Sequence, residues 1–253
     1  MSVLSPESAA IWAAIAGVFI LAGMVKGVIG LGLPTLSMAL LAVWMSPAAA
    51  AALLIVPSLV TNVWQLQPWR GLGRLTRRLG GMQLGIVAGT LLGAWLYGAP
   101  DGAGARVALG IALVAYAAWL LLAPPLALDA RHEPWLGPLV GAVTGGITAM
   151  TGVFVIPAVV YLQALSLPRD ALIQAMGLSF TTSTLALALA LAGRDSYSTP
   201  LLGASLAMLL PALAGMAFGQ WMRVRMPLPV FRRCFLAGLA LLGVYMVARE
   251  LMR

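Results

Sequence analysis

Lys26 is the only lysine in the chain, and it stands in the stretch "GMVKGVIGLGLPTLSMAL" (residues 23–40). Apolar residues flank it on both sides, and a run broken by glycine and proline follows; no charge recurs until Arg70. A charged group inside hydrocarbon is costly, so such residues are as a rule paired or functional. No Asp or Glu falls inside any segment apolar enough to span a bilayer. Lys26 must therefore reach the interface along its own stem, lose its proton through desolvation, or meet an anion that comes and goes.

Uncharged hydrogen-bond donors recur in a pattern that suits the third option. Ser58, Thr61, Asn62 and Gln65 are spaced by three and four, which puts them on one face of a helix. Ser179, Thr182 and Ser183 repeat that stripe further along the chain. Hydroxyl and amide groups donate without bringing negative charge. The same side chains also serve as glue between helices in membranes, and that structural role competes with the functional one. Two helix breaks add backbone donors. Half-helices starting after "GLGLP" and after "TAMTG" would present unpaired N–H groups at their N-termini, where the helix dipole favours an anion. Gly27, Gly30, Gly32 and Thr35 around the first break, and Thr148, Thr151 and Gly152 around the second, complete the candidate binding residues. A lysine, neutral donors, helix N-termini and no carboxylate describe an anion site.

The elements that must carry these residues are transmembrane helices. Of 253 residues, 62% are hydrophobic and 9% charged, against about 25% charged in soluble domains. Uncharged runs at 27–69, 79–100, 107–128, 135–168, 171–193 and 196–222 each exceed the roughly 20 residues that cross a bilayer as helix. None shows the period-two alternation of a membrane barrel. The fold class is thus an all-α polytopic membrane protein. The start, "MSVLSPESAA", lacks a basic n-region and carries Glu7, so no cleaved leader is expected. One cysteine, Cys234, excludes an internal disulfide, and the single histidine, His132, reads as a loop residue in "LDARHEPW". No metal site and no cofactor are expected. The net charge of +8 does not mark nucleic-acid binding, because the arginines cluster between spans, where they meet lipid headgroups.

Two segments are strongly basic: "QPWRGLGRLTRRLGG" and "MRVRMPLPVFRRC". The positive-inside rule puts both in the cytoplasm, so an even number of crossings separates them. Single spans near 80–98, 106–123, 170–192 and 200–221 supply four. Segment 135–168, about 34 residues or about 50 Å as straight helix, is too long for one crossing of about 30 Å and must turn back as a hairpin. Segment 9–45 poses the same length problem and predicts a second hairpin. The halves also align: "SPAAAAALLIVPSLVTNVWQ" (46–65) runs without gaps along "LPRDALIQAMGLSFTTSTLA" (167–186), pairing Ser58 with Ser179 and Asn62 with Ser183. Upstream, "GMVKGVI" matches "GAVTGGI", which sets Lys26 on Thr144; downstream, Gly81 and Gly93 align with Gly203 and Gly215. Equivalent loops differ in charge: basic 66–79 matches neutral 193–199, and neutral 98–106 matches basic 222–233. Two inverted repeats are expected, residues 1–124 and 125–253, each a broken-helix hairpin followed by about three spans.

At these residues the chain resembles the TauE/SafE family of sulfite and organosulfonate exporters. The resemblance rests on "KGVIGLGLPTLSMALL" and "GAVTGGITAMTGVFVIPAVV", each followed by a helix begun at proline, and it covers roughly residues 10–250. By position, Lys26, Gly27, Gly30, Gly32 and Pro34 match the first motif, and Gly145, Gly152 and Pro157 the second. The family's dense glycine cluster is thinner here, reduced to Gly30 and Gly32 in the first half. The resemblance implies a secondary transporter, in the cell's inner membrane, exporting a small anion such as sulfite or an organosulfonate. An anion channel on the same fold and a non-transporting assembly or scaffold protein are the competing readings. No GxxxxGK[ST] loop and no catalytic constellation occurs, so neither ATP hydrolysis nor enzyme activity is expected, and a coupling ion, proton or sodium, is the further partner.

Overall fold

In hydrocarbon a backbone must satisfy its own hydrogen bonds, and alanine- and leucine-rich runs do so as helix. The computed structural model describes residues 6–124, 126–193 and 199–252, which form helices and no strand. The first half contains α1 (Pro6–Ile29), α2 (Leu33–Leu41), α3 (Pro47–Trp64), α4 (Leu72–Tyr97) and α5 (Gly102–Leu122). After a single 3₁₀ turn the second half repeats the order with α6 (Glu133–Thr151), α7 (Ala158–Ala164) and α8 (Arg169–Ala192). It ends in α9 (Thr199–Ala207), α10 (Leu209–Arg223) and α11 (Leu228–Leu251). Seven stretches among the described residues are long and apolar enough to cross a membrane: α1, α3, α4, α5, α8, α9 with α10, and α11.

Both segments judged too long for one crossing are broken. Their arms are unequal: a long helix, an irregular turn, then a short helix. α1 ends in Gly30 at φ 77° and Gly32 at φ 110°, left-handed conformations that suit glycine, and Pro34 lies in the first turn of α2. α6 ends at Gly152, φ 70°, and six residues later α7 begins. The second hairpin closes on itself. Leu128 N, before α6, donates to Ala164 O at the end of α7 (2.8 Å), so the chain comes back to the side it left.

The two basic segments are less loop-like than their sequence suggests. Arg74, Arg77 and Arg78 lie in the first two turns of α4, and Arg232 and Arg233 near the start of α11. Arg78 forms a two-pronged ion pair with Glu133 at the start of α6 (2.7 and 2.6 Å). Elsewhere, Arg106 at the start of α5 meets Glu250 at the end of α11 (3.5 Å). The neutral 193–199 segment, used above for the charge comparison, lies mostly outside the described residues.

Glycine sets which helices touch. A Cβ on Gly85 or Gly89 of α4 would collide with the carbonyls of Pro138 and Ala142 on α6, and one on Gly141 or Gly145 would collide with Met82 and Ile86. A second crossing between the halves repeats this contact: Gly215 and Gly219 of α10 meet Ile20 and Met24 carbonyls, while Gly23 and Gly27 of α1 meet Ala212 and Met216. Bare backbone faces allow close van der Waals approach where lipid offers no hydrophobic drive. At the two crossings Gly85 and Gly89 make the kind of backbone contact that Gly215 and Gly219 make, and Gly93 meets Ala149 of the same α6.

Pro57 sits inside α3 and cannot donate to the Leu53 carbonyl. Ser205 of α9 repairs the gap, its hydroxyl donating to Leu53 O (2.8 Å) and accepting from Val56 N (3.1 Å). All eight tryptophans are exposed and lie near helix ends, as interfacial anchors do.

Candidate functional site

Lys26 lies in the last turn of α1 and is 3% exposed. It has not reached an interface. Its Nζ donates to Oδ1 of Asn62, which is fully buried on α3. Asn62 Nδ2 donates in turn to Thr184 Oγ1 on α8 (3.4 Å), and that hydroxyl donates to Phe180 O (2.7 Å). The amide is thereby oriented, with its oxygen toward the lysine. One helical turn on, Gln65 Nε2 donates to the Gly30 carbonyl (2.7 Å), tying the break to α3, while Gly30 N still closes the last turn of α1 on Lys26 O (2.8 Å). Lys26, Gly30, Asn62 and Gln65 thus form one cluster.

A protonated lysine has three N–H groups, and one is engaged here. Among the described residues the ion pairs are Arg78–Glu133, Arg106–Glu250 and Arg131–Asp129, and none involves Lys26. Further donors are idle as well. The hydroxyls of Thr35, Ser37, Ser58, Thr90 and Ser183 are buried with no hydrogen-bond partner. More than nine in ten buried polar groups in proteins are partnered, and each orphan costs about 1–3 kcal/mol.

The remaining candidates divide by what they already bond. Thr61 donates to Pro57 O (2.7 Å) and Thr182 to Leu178 O (3.1 Å), both within their own helices. Ser179 accepts from Gln83 Nε2 of α4 (3.1 Å). Thr148 donates to Thr144 O (2.8 Å), Thr151 to Ile147 O (2.7 Å), and Thr151 also accepts from Val153 N (3.1 Å). Three glycines serve the frame: Gly27 faces α10, Gly32 faces Val25 and Phe235, and Gly152 faces Met38 of α2. The second break therefore meets the short helix of the first.

Thr184 and Gln83 bond to candidate residues, Asn62 and Ser179, although the stripes do not single them out. For Thr184 a signal exists. It lies seven residues after Gly177, hence on the same face, and a Cβ on Gly177 would press on Gln65 and Asn62 of α3. Among the described residues no group of His, Cys, Asp and Glu could hold a metal ion.

The family model described as Sulfite exporter TauE/SafE matches residues 15–246. No curated protein and no solved structure matches the chain at a significant level. The matched region takes in both breaks, Lys26 with its Asn62 partner, and all of the glycine crossings. This multi-pass helical membrane protein belongs to the TauE/SafE sulfite exporter family.

Proposed function

We propose that the chain is a secondary transporter that exports a small anion, such as sulfite or an organosulfonate, across the inner membrane, and that the anion binds at Lys26. The observation that carries this reading is a buried lysine whose partner among the described residues is a neutral amide, in a bundle that also holds unpartnered buried hydroxyls. Such a set is complete only with an oxyanion present. Its oxygens would accept the two idle lysine protons and hydroxyls such as those of Ser58 and Ser183. Asn62 keeps the ammonium in place when no anion is bound, at the strength of a single hydrogen bond, so the amide yields to a charged competitor.

The fold supplies the moving parts. Residues 1–124 and 125–253 act as two inverted repeats, a reading supported by the repeated element order and the matched glycine crossings. The left-handed glycines at positions 30, 32 and 152 are pivots at which short helices α2 and α7 tilt, exposing the site alternately to either side. Basic residues at the cytoplasmic mouth raise local anion concentration weakly at physiological salt. A proton or sodium ion drives the cycle, since no nucleotide-binding loop is built into the chain, and no chemical conversion is needed.

A thermal-shift titration of the purified protein with sulfite, methanesulfonate, sulfate and acetate tests this. Saturable stabilisation by one of these anions is expected in the wild type and in Arg74→Gln, and is expected to vanish in Lys26→Met. Stabilisation that ignores Lys26 would sink the assignment.

A further inference from the structure

A cavity of about 510 Å³ opens below the first break, between the ends of α1, α5, α8, α10 and α11. Four arginines line it: Arg169 at the start of α8, Arg223 at the end of α10, and Arg232 and Arg233 on α11. No carboxylate does, and none of the four makes an ion pair among the described residues. Apart from Gln163 and Tyr116 the rest of the wall is apolar, with Leu120, Ile173, Met176, Phe235 and Leu236 on three helices. Gly30 is part of the lining, one turn of α1 from Lys26. Arg223, Arg232 and Arg233 lie in the basic segment that the positive-inside rule assigns to the cytoplasm.

Four like charges around one space repel each other, and a headgroup with several acceptor oxygens relieves that repulsion. Guanidinium groups match such oxyanions in pairs. An inorganic ion would satisfy the charge and leave the apolar wall unused, whereas the volume falls in the range of sites for organic ligands. We infer that this cavity is a second oxyanion site, separate from Lys26, which takes a sulfonate or phosphate headgroup joined to an apolar body. Two sources share that chemistry: an organic sulfonate arriving from the cytoplasm, and an anionic lipid of the inner leaflet. The site stands on its own residues and does not depend on what Lys26 binds.

Titration of the protein in phosphatidylcholine nanodiscs with ethane-, butane- and hexanesulfonate tests the inference. Affinity is expected to rise about threefold per added methylene as the wall takes up the chain. The double variant Arg232→Gln/Arg233→Gln should weaken hexanesulfonate about tenfold or more, the loss of charge-assisted hydrogen bonds, while Arg74→Gln, outside the cavity, leaves it within about twofold. Arg233→Lys, which keeps the charge without the fork, should fall between, and guards against a folding defect. Phosphatidylglycerol in the disc names the source. Competition with hexanesulfonate, with lipid retained in native mass spectra of the wild type but not of the double variant, makes the occupant a lipid headgroup. No competition makes it the soluble sulfonate. Hexanesulfonate and lipid binding that both survive the arginine replacements overturns the site, and loss in Lys26→Met alone moves the alkyl sulfonate to Lys26 and removes the second site.

Discussion

The two helix breaks occupy the same place in the two halves, yet their chemistry differs. In the first, Lys26 reaches out of its helix to Asn62, Gly30 is held by Gln65, and the hydroxyls of Thr35 and Ser37 have no partner. In the second, Thr144, which aligns with Lys26 in the sequence, donates its hydroxyl to Val140 O of its own helix (2.7 Å). Thr148 and Thr151 are likewise satisfied within the break. One break is chemically open and the other closed. A shared frame of glycine crossings positions both, so the frame and the binding chemistry are separable, and substitutions should affect them in different ways.

The largest effects should come from the frame, and they should be alike at the two crossings. Gly89→Leu puts a side chain on the Ala142 carbonyl and Gly219→Leu puts one on the Met24 carbonyl. Backbone cannot yield as a flexible side chain does, so each is expected to cost at least the 1–3 kcal/mol, roughly, of an overpacked core. Detergent-solubilised protein should lose its monodisperse size-exclusion peak in both variants. A large loss in one variant only would show that the two crossings are not equivalent.

The next effect separates the halves. Lys26→Met should abolish anion-dependent stabilisation while changing the unliganded protein by less than about 2 kcal/mol, because removing a buried ammonium offsets the orphaned Asn62 oxygen. Thr144→Val should leave both properties near wild type. Moving the charge, in Lys26→Thr/Thr144→Lys, should restore nothing, since nothing like Asn62 is hydrogen-bonded to Thr144. Rescue by that double variant would mean that the halves are interchangeable and that the contrast drawn here is wrong.

Part of the arrangement was legible in the sequence. Segment length against bilayer thickness required both hairpins, and the three-and-four spacing of Ser58, Thr61, Asn62 and Gln65 set them on one helix face, from which Asn62 and Gln65 meet Lys26 and Gly30. Other features depend on where helices cross, which no local pattern encodes. Gly27 looks like part of the break and instead contacts α10. Thr184 is hidden in the run "TTST" until Gly177 is known to touch α3. Arg169 reads as one charge beside Asp170, yet joins three arginines more than fifty residues away in one cavity. The unequal arms were also unreadable, because Pro157 and the irregular turn before it delay α7 in a way that hydrophobicity does not report.

A sharper test of the open break is to close it. Asn62→Asp would give Lys26 a carboxylate in place of an amide. An ion pair in that setting is far stronger than the present hydrogen bond, so the unliganded protein should be as stable as wild type or more so. The carboxylate would also occupy the ammonium and repel an incoming oxyanion. Anion affinity should fall about tenfold or more, against a smaller loss in Asn62→Ala, which removes a partner without adding charge. Anion binding stronger in Asn62→Asp than in Asn62→Ala would contradict a site that works by lacking negative charge.

The smallest effects concern single hydroxyls, and they distinguish idle groups from satisfied ones. Ser183→Ala removes a buried hydroxyl that has no partner, so the unliganded protein should be unchanged or slightly more stable. Its anion affinity should drop by about threefold to tenfold, one neutral hydrogen bond's worth. Thr148→Val removes a hydroxyl bonded to its own helix, and carbonyls that already take a helical N–H lose little when such a second donor goes. Stability and affinity should both stay within about 0.5 kcal/mol of wild type, the ordinary range for a substitution that disturbs no special feature. The sign of the Ser183→Ala stability change decides the matter. A loss of stability without loss of affinity would mean that Ser183 is glue between helices, and the group of unpartnered hydroxyls would then belong to the frame and not to the site.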